Sequence, residues 1–186
     1  MNIAAGTLRG NDSSVILKES KTLFKPFTQS GGRWLWLTLL VLLLDRVTKA
    51  MILHTIKLHD GIHITPYYNL MLTYNRGAAF SFLSNAKGWQ SWLFSGIASV
   101  VSIVLLVWLF RLKRRQWWDS IAIAMILAGA LGNLLDRFIY GHVIDFIQWH
   151  WHELYWPVFN IADASICIGS TMLILQAFFF KLTKKK

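Results

Sequence analysis

Cysteine is almost absent from this chain. The single Cys167 excludes an internal disulfide and any cysteine-based metal cluster, and in its apolar run it reads as a small, inert, buried thiol. Charge is also scarce: Asp, Glu, Lys and Arg make up 15% of 186 residues, against 55% hydrophobic residues that include 10 Trp and 12 Phe. That balance excludes an ordinary soluble domain and leaves one compact, polytopic membrane domain. Acid is scarcer than base, with 9 Asp and Glu against 19 Lys and Arg and a net charge of +10. A nucleic-acid partner is argued against by placement. Thirteen of those basic residues lie in three clusters that flank apolar runs, which is how membrane topology is signalled. No Ser/His or Cys/His pair suggests a covalent nucleophile, and His150 and His152 read as interfacial rather than metal-binding. We therefore expect no metal and no cofactor.

Four apolar segments can be read as spans, at about 34–53, 89–110, 120–140 and 157–180. The second is 22 uncharged residues, long enough to cross a bilayer. Residues 1–32 read as a disordered cytoplasmic extension rather than a cleaved leader, and 181–186 as a basic cytoplasmic tail. The basic residues number five in 1–33, four in 111–115 and four in 181–186, whereas the two opposite connections hold only Lys57, Arg76 and Lys87. Both termini are therefore expected inside, with the connections 54–88 and 141–156 outside. In the first connection, Ile62, Ile64, Tyr68, Leu70, Leu72 and Tyr74 alternate around Pro66, which predicts a small sheet lying on the membrane.

Ionisable residues within such spans are costly, about 2.5–3.5 kcal/mol each on insertion scales, and mark functional sites by default. Asp136 ends a run of sixteen uncharged residues, and Asp163 lies in another uncharged stretch. Each has an asparagine three residues before it, Asn133 and Asn160. Helical rise puts Asp136 ~24 Å along an outward span and Asp163 ~9 Å along an inward one, so the two carboxylates match in depth. Asn133 and Arg137 share the face of Asp136. Two close carboxylates in a low dielectric share a proton, so one can activate water while the other protonates a scissile carbonyl. The alternative is a packing ion bridge at each aspartate. In the first span Asp45 and Lys49 are spaced to neutralise each other, as a packing pair or as support for the site.

Five blocks resemble the lipoprotein signal peptidases (signal peptidase II). They are Asp45-Arg46-Val47-Thr48-Lys49, Asn75-Arg76-Gly77-Ala78-Ala79-Phe80, Gly129-Ala130-Leu131-Gly132-Asn133-Leu134-Leu135-Asp136-Arg137, Val143-Ile144-Asp145-Phe146 and Phe159-Asn160-Ile161-Ala162-Asp163-Ala164-Ser165-Ile166. Ala128 departs from the Gly-Gly pair that often opens the third block. The resemblance implies an aspartic endopeptidase of the bacterial inner membrane. It would act, as a monomer, on prolipoproteins whose cysteine carries diacylglycerol, with membrane lipids as further partners and no nucleic acid. It implies Asp136 and Asp163 as catalytic residues. Asn133, Arg137, Asn160, Asn75, Gly77, Asp45 and Lys49 would support them or bind substrate, and Asp145 would be structural. The implied fold has four transmembrane helices, an extracytoplasmic β-cradle and an extracytoplasmic helical loop. Two readings from the residues alone compete with it. A proton-coupled transporter would show proton flux in liposomes, and a non-catalytic scaffold would tolerate Asp136→Asn. A different intramembrane aspartic protease commonly carries Gly-x-Gly-Asp, which is missing.

Overall fold

A computed structural model describes residues 27–77 and 89–183. Most of the expected N-terminal extension therefore lies outside the described residues, as do Ala78, Ala79 and Phe80. Its last residues are ordered. Two 3-10 turns, Phe27–Gln29 and Gly31–Trp34, lead into α1, Leu35–Thr55. The hairpin β1, Gly61–Thr65, and β2, Tyr68–Asn75, follows, then α2, Trp89–Arg111, and α3, Trp117–Tyr140. Strands β3, Val143–Trp151, and β4, Leu154–Tyr155, precede α4, Ile161–Thr183.

Three of the helices, α2, α3 and α4, are long and apolar enough to cross a membrane. The fourth, α1, carries Asp45, Arg46 and Lys49. Its buried positions are Thr38, Val41, Asp45, Lys49 and Ile52, spaced by three and four, so Asp45 and Lys49 share the inward face. The opposite face exposes Trp36, Leu39, Leu40, Leu43, Val47 and Met51.

Helix α3 is the centre of the bundle, and small residues explain why. A Cβ on Gly129 would collide with the Ala162 carbonyl oxygen, and one on Gly132 would meet Asp45 Oδ2 at 2.8 Å. Glycine at both lets α4 and the acidic residue of α1 lie directly on the α3 backbone. Ala128 is buried as well. The α3 helix ends at Gly141, whose φ of 75° lets its N–H return to the Arg137 carbonyl at 3.0 Å.

The sheet is larger than the patterning of 54–88 suggests. It has four strands in the order β1-β2-β3-β4, all antiparallel, and two of them come from the second connection. That connection is strand, and among the described residues neither connection contains a helix. The start of β3 is buried at four successive residues, Val143 to Phe146, so it lacks the polar alternation that marks a half-exposed strand. Ile52, Ile56, Leu72, Ile144 and Phe146 form a core joining the sheet to α1. A second core of Leu105, Leu109, Leu112, Ile123 and Leu127 lies towards the opposite end. Cys167 is exposed on α4, not buried as its run suggests.

Candidate active site

The acidic residues fall into two adjoining clusters. The first is ionic and joins α1 to α3. Lys49 Nζ lies 2.9 Å from Asp45 Oδ2 and 2.6 Å from Asp136 Oδ2. Arg46 Nη2 lies 3.0 Å from Asp45 Oδ2 and 2.5 Å from Asp136 Oδ1. Two carboxylates and two cations thus balance in formal charge. The remaining lone pairs are used as well. Asp45 Oδ1 accepts the Ala162 N–H at 3.1 Å, and Asp136 Oδ2 accepts the Ile144 N–H at 3.2 Å. Asp45, Lys49 and Asp136 are all at most 1% exposed. Arg46 joins them from the edge; sequence reasoning had not placed it in the site. Its position next to Asp45 in a span was the available signal.

The second cluster is held by amides. Asn160 precedes α4 and forms a reciprocal cap with Asp163. The Asn160 N–H donates to Asp163 Oδ2 at 3.2 Å, and the Asp163 N–H donates to Asn160 Oδ1 at 2.9 Å. This is the geometry of a capping box, which satisfies two free helix-end donors at once. The Asn-x-x-Asp spacing therefore has a different meaning in the two helices. It is a helix start in Asn160–Asp163, and two side chains one turn apart inside a helix in Asn133–Asp136.

The free amide of Asn160 reaches Asp145. Its Nδ2 donates to Asp145 Oδ1 at 2.7 Å and lies near the Asn133 Oδ1 and the Ile144 carbonyl, at 3.1 and 3.2 Å. Asn133 Nδ2 donates to Asp163 Oδ1 at 2.7 Å. Asn75, at the end of β2, donates from Nδ2 to Asp145 Oδ2 at 3.1 Å and accepts the Gly77 N–H at 3.0 Å. Arg137 donates to the Asn133 carbonyl at 3.2 Å and the Gly77 carbonyl at 3.4 Å, and stacks over Phe94. Burial, and then the neighbouring Asp163 carboxylate, push Asp145 up to about 7, against the hydrogen bonds from Asn75 and Asn160. Asp145 is 2% exposed, while Asp163 is partly open.

The sequence-derived pair of Asp136 and Asp163 is not what this geometry brings together. Both oxygens of Asp136 are taken by cations and by a backbone N–H, and no hydrogen bond joins it to Asp163 among the described residues. Asp145, expected to be structural, shares Asn160 with Asp163. The physical reason is the source of the cations. Arg46 and Lys49 come from α1, and depth matching of α3 against α4 takes no account of them. Asn133, Asn160, Asn75, Gly77 and Arg137 all surround Asp145 and Asp163. Among the described residues no group of three or more His, Cys, Asp or Glu side chains is placed to hold a metal ion.

The comparisons with known proteins agree on one family. A family described as Signal peptidase (SPase) II matches residues 37–179. A lipoprotein signal peptidase from Vibrio parahaemolyticus is 45% identical over 159 residues, covering 84% of this chain and 94% of the relative. One from Pseudomonas putida is 50% identical over 147 residues, covering 78% and 86%. A bacterial membrane enzyme solved by the in meso method at 2.3 Å resolution superposes with a TM-score of 0.71 at 34% identity, covering 83% of this chain and 92% of that one.

Proposed function

Since this chain belongs to the signal peptidase II family, we propose that it is a membrane protease removing signal peptides from prolipoproteins, with Asp145 and Asp163 as its acid–base pair. The carrying observation is Asn160, whose side chain binds one carboxylate while its backbone N–H binds the other. One residue thus fixes their spacing.

Neutral amides hold both carboxylates, and among the described residues neither has a direct ion pair. One proton can therefore reside on the pair and move. Burial and the neighbouring carboxylate raise Asp145 to about 7, so it can hold that proton near neutral pH. The ionised Asp163 then takes a proton from a water molecule. That water attacks the scissile carbonyl as Asp145 protonates the carbonyl oxygen. Collapse of the tetrahedral intermediate returns a proton to the leaving nitrogen, and no covalent enzyme adduct forms. Arg137, beside both carboxylates, helps keep the second one ionised.

The scissile bond is the one before a diacylglyceryl cysteine. Such a substrate is anchored at the membrane surface, where α4 begins and the sheet lies. Anchoring supplies orientation, so few side-chain contacts are required. We read α1 as a fourth span, because its charges face inward and its outer face is apolar. The basic clusters then put both termini in the cytoplasm, and the site towards the outer face of the inner membrane.

The test is cleavage of a diacylglyceryl prolipoprotein peptide by purified protein in detergent, with an unlipidated control. Asp145→Asn and Asp163→Asn should each be inactive and folded. Activity in Asp145→Asn comparable to wild type would refute the pair.

A further inference from the structure

Helices α1 and α2 both pack on α3 but scarcely on each other. A groove of about 310 Å³ is left between them, floored by Leu127 and Leu131 and walled by Leu35, Leu39, Ile103 and Leu106. Its Leu35 wall is the first turn of α1, at the end of the bundle away from the sheet. There the Gly31–Trp34 turn is strapped across the α2–α3 connection. The Gly31 N–H donates to the Leu112 carbonyl at 3.1 Å, and a Cβ on Gly31 would meet the Leu109 carbonyl oxygen at 2.6 Å. This seating brings Arg33 Nη2 to within 3.4 Å of the Arg114 carbonyl oxygen. Arg33 also lies over the Trp34 ring, one residue before the groove wall begins at Leu35.

The mouth is strongly cationic. Arg33 reaches the α2–α3 connection, whose residues include Arg111, Lys113, Arg114 and Arg115, and none of these five has an ion pair among the described residues. Asp119 is the acidic side chain described at this end. We infer that the α1–α2 groove, with Arg33 and Arg114 at its mouth, holds one anionic phospholipid of the inner leaflet, phosphate at the guanidinium groups and acyl chain along Leu35, Leu39, Ile103 and Leu106.

Charge selects this occupant over the substrate's signal peptide. A signal peptide presents a positively charged end to the cytoplasm, and this mouth would repel it. Basic pockets between spans on the cytoplasmic side suit phosphate-bearing headgroups, each cation contributing about fivefold in affinity. The lipid would fill the gap between α1 and α2 and so steady α1, which carries Lys49 and Asp45. The inference rests on the membrane orientation proposed above, and is independent of the acid–base pair.

The experiment is native mass spectrometry of the full chain with dioleoylphosphatidylglycerol or dioleoylphosphatidylethanolamine, alongside the cleavage assay. Wild type should retain one phosphatidylglycerol in clear preference to phosphatidylethanolamine. Arg33→Gln with Arg114→Gln should weaken that retention roughly 30-fold. Leu39→Trp, and independently Ile103→Trp from the other wall, should remove lipid retention while cleavage persists and reports a folded enzyme. Equal retention of the two lipids by wild type would overturn the inference. So would retention unchanged in the arginine variant or in both groove variants. A raised KM for the prolipoprotein with lipid retention intact would assign the groove to the signal peptide instead.

Discussion

Asp136 and Asp145 are nine residues apart in the chain, both all but inaccessible, and they meet opposite surroundings. Asp136 is gripped by an arginine and a lysine. Asp145 is gripped by two asparagine amides and faces another carboxylate. A buried carboxylate between cations is tied to the helices that carry them. Among neutral donors beside a like charge, it can keep or release a proton near neutral pH. The first is suited to holding helices together and the second to chemistry. The two clusters also touch. The N–H that Asp136 accepts belongs to Ile144, the residue before Asp145, so the ionic cluster sets the position of the reactive one.

The sharpest way to separate the two is substitution by the isosteric amide. Asp145→Asn or Asp163→Asn should lower kcat by at least ~10²–10⁴-fold, the range for a lost acid–base group, with little loss of thermal stability in detergent. Asp136→Asn should behave in reverse. It leaves Arg46 and Lys49 short of one countercharge in a buried site, a loss of about 3–5 kcal/mol measured as a fall in unfolding temperature. The surviving folded fraction should retain turnover. A stable but dead Asp136→Asn enzyme would restore Asp136 to the chemistry.

Asn160→Ala probes the link. It removes the side-chain donor to Asp145 and the acceptor of the Asp163 N–H. Its kcat should fall, by less than in the aspartate variants. Because the Asn160 hydrogen bond lowers the Asp145 pKa, the alkaline limb of the pH–rate profile should also move to higher pH. A limb that stays in place would detach Asp145 from that limb.

The smallest effect is that of pH on the wild type. Asp145 titrates at about 7 in the folded protein, above the ~3.9 of an unfolded aspartate. Turnover should therefore decline as pH rises through about 7, as an apparent value belonging to the pair. For stability the sign follows from proton uptake. The folded state binds the extra proton between these two values. The stabilising contribution is full below about pH 4 and lost as pH rises through about 7. Unfolding curves from pH 5 to 8 check this, and Asp145→Asn should flatten that part of the dependence.

The long apolar runs made α2, α3 and α4 legible in the sequence, and alternation around Pro66 disclosed β1 and β2. Strand β3 stayed hidden because Val143 to Phe146 are buried on both faces, and because its later residues, Trp149 to Trp151, resemble an interfacial loop. The site was legible as a set of residues but not as a pairing. Helical rise can compare depths along two helices, yet it assigns no depth to Asp145, which sits on a strand after a glycine turn. The repeated Asn-x-x-Asp spacing suggested equivalent roles, whereas one copy begins a helix. A lone acid inside Val-Ile-Asp-Phe, where β-branched and aromatic neighbours leave it no water, was the signal that could have singled out Asp145.

The ionic cluster also bears on how the protein is made. Helix α1 by itself carries one acid and two bases within five residues, and α3 carries Asp136 and Arg137 near its end. Read as a span, α1 would enter the bilayer before Asp136 has been made to meet Arg46 and Lys49, and each such charge weighs against insertion. The acid that balances α1, Asp136, lies 90 positions after Arg46, so on the four-span reading the charge of α1 would be balanced only once α3 is made. The newborn chain would thus be a poor membrane protein until α3 arrives. A quality-control protease that samples half-inserted spans would have its window between those two events.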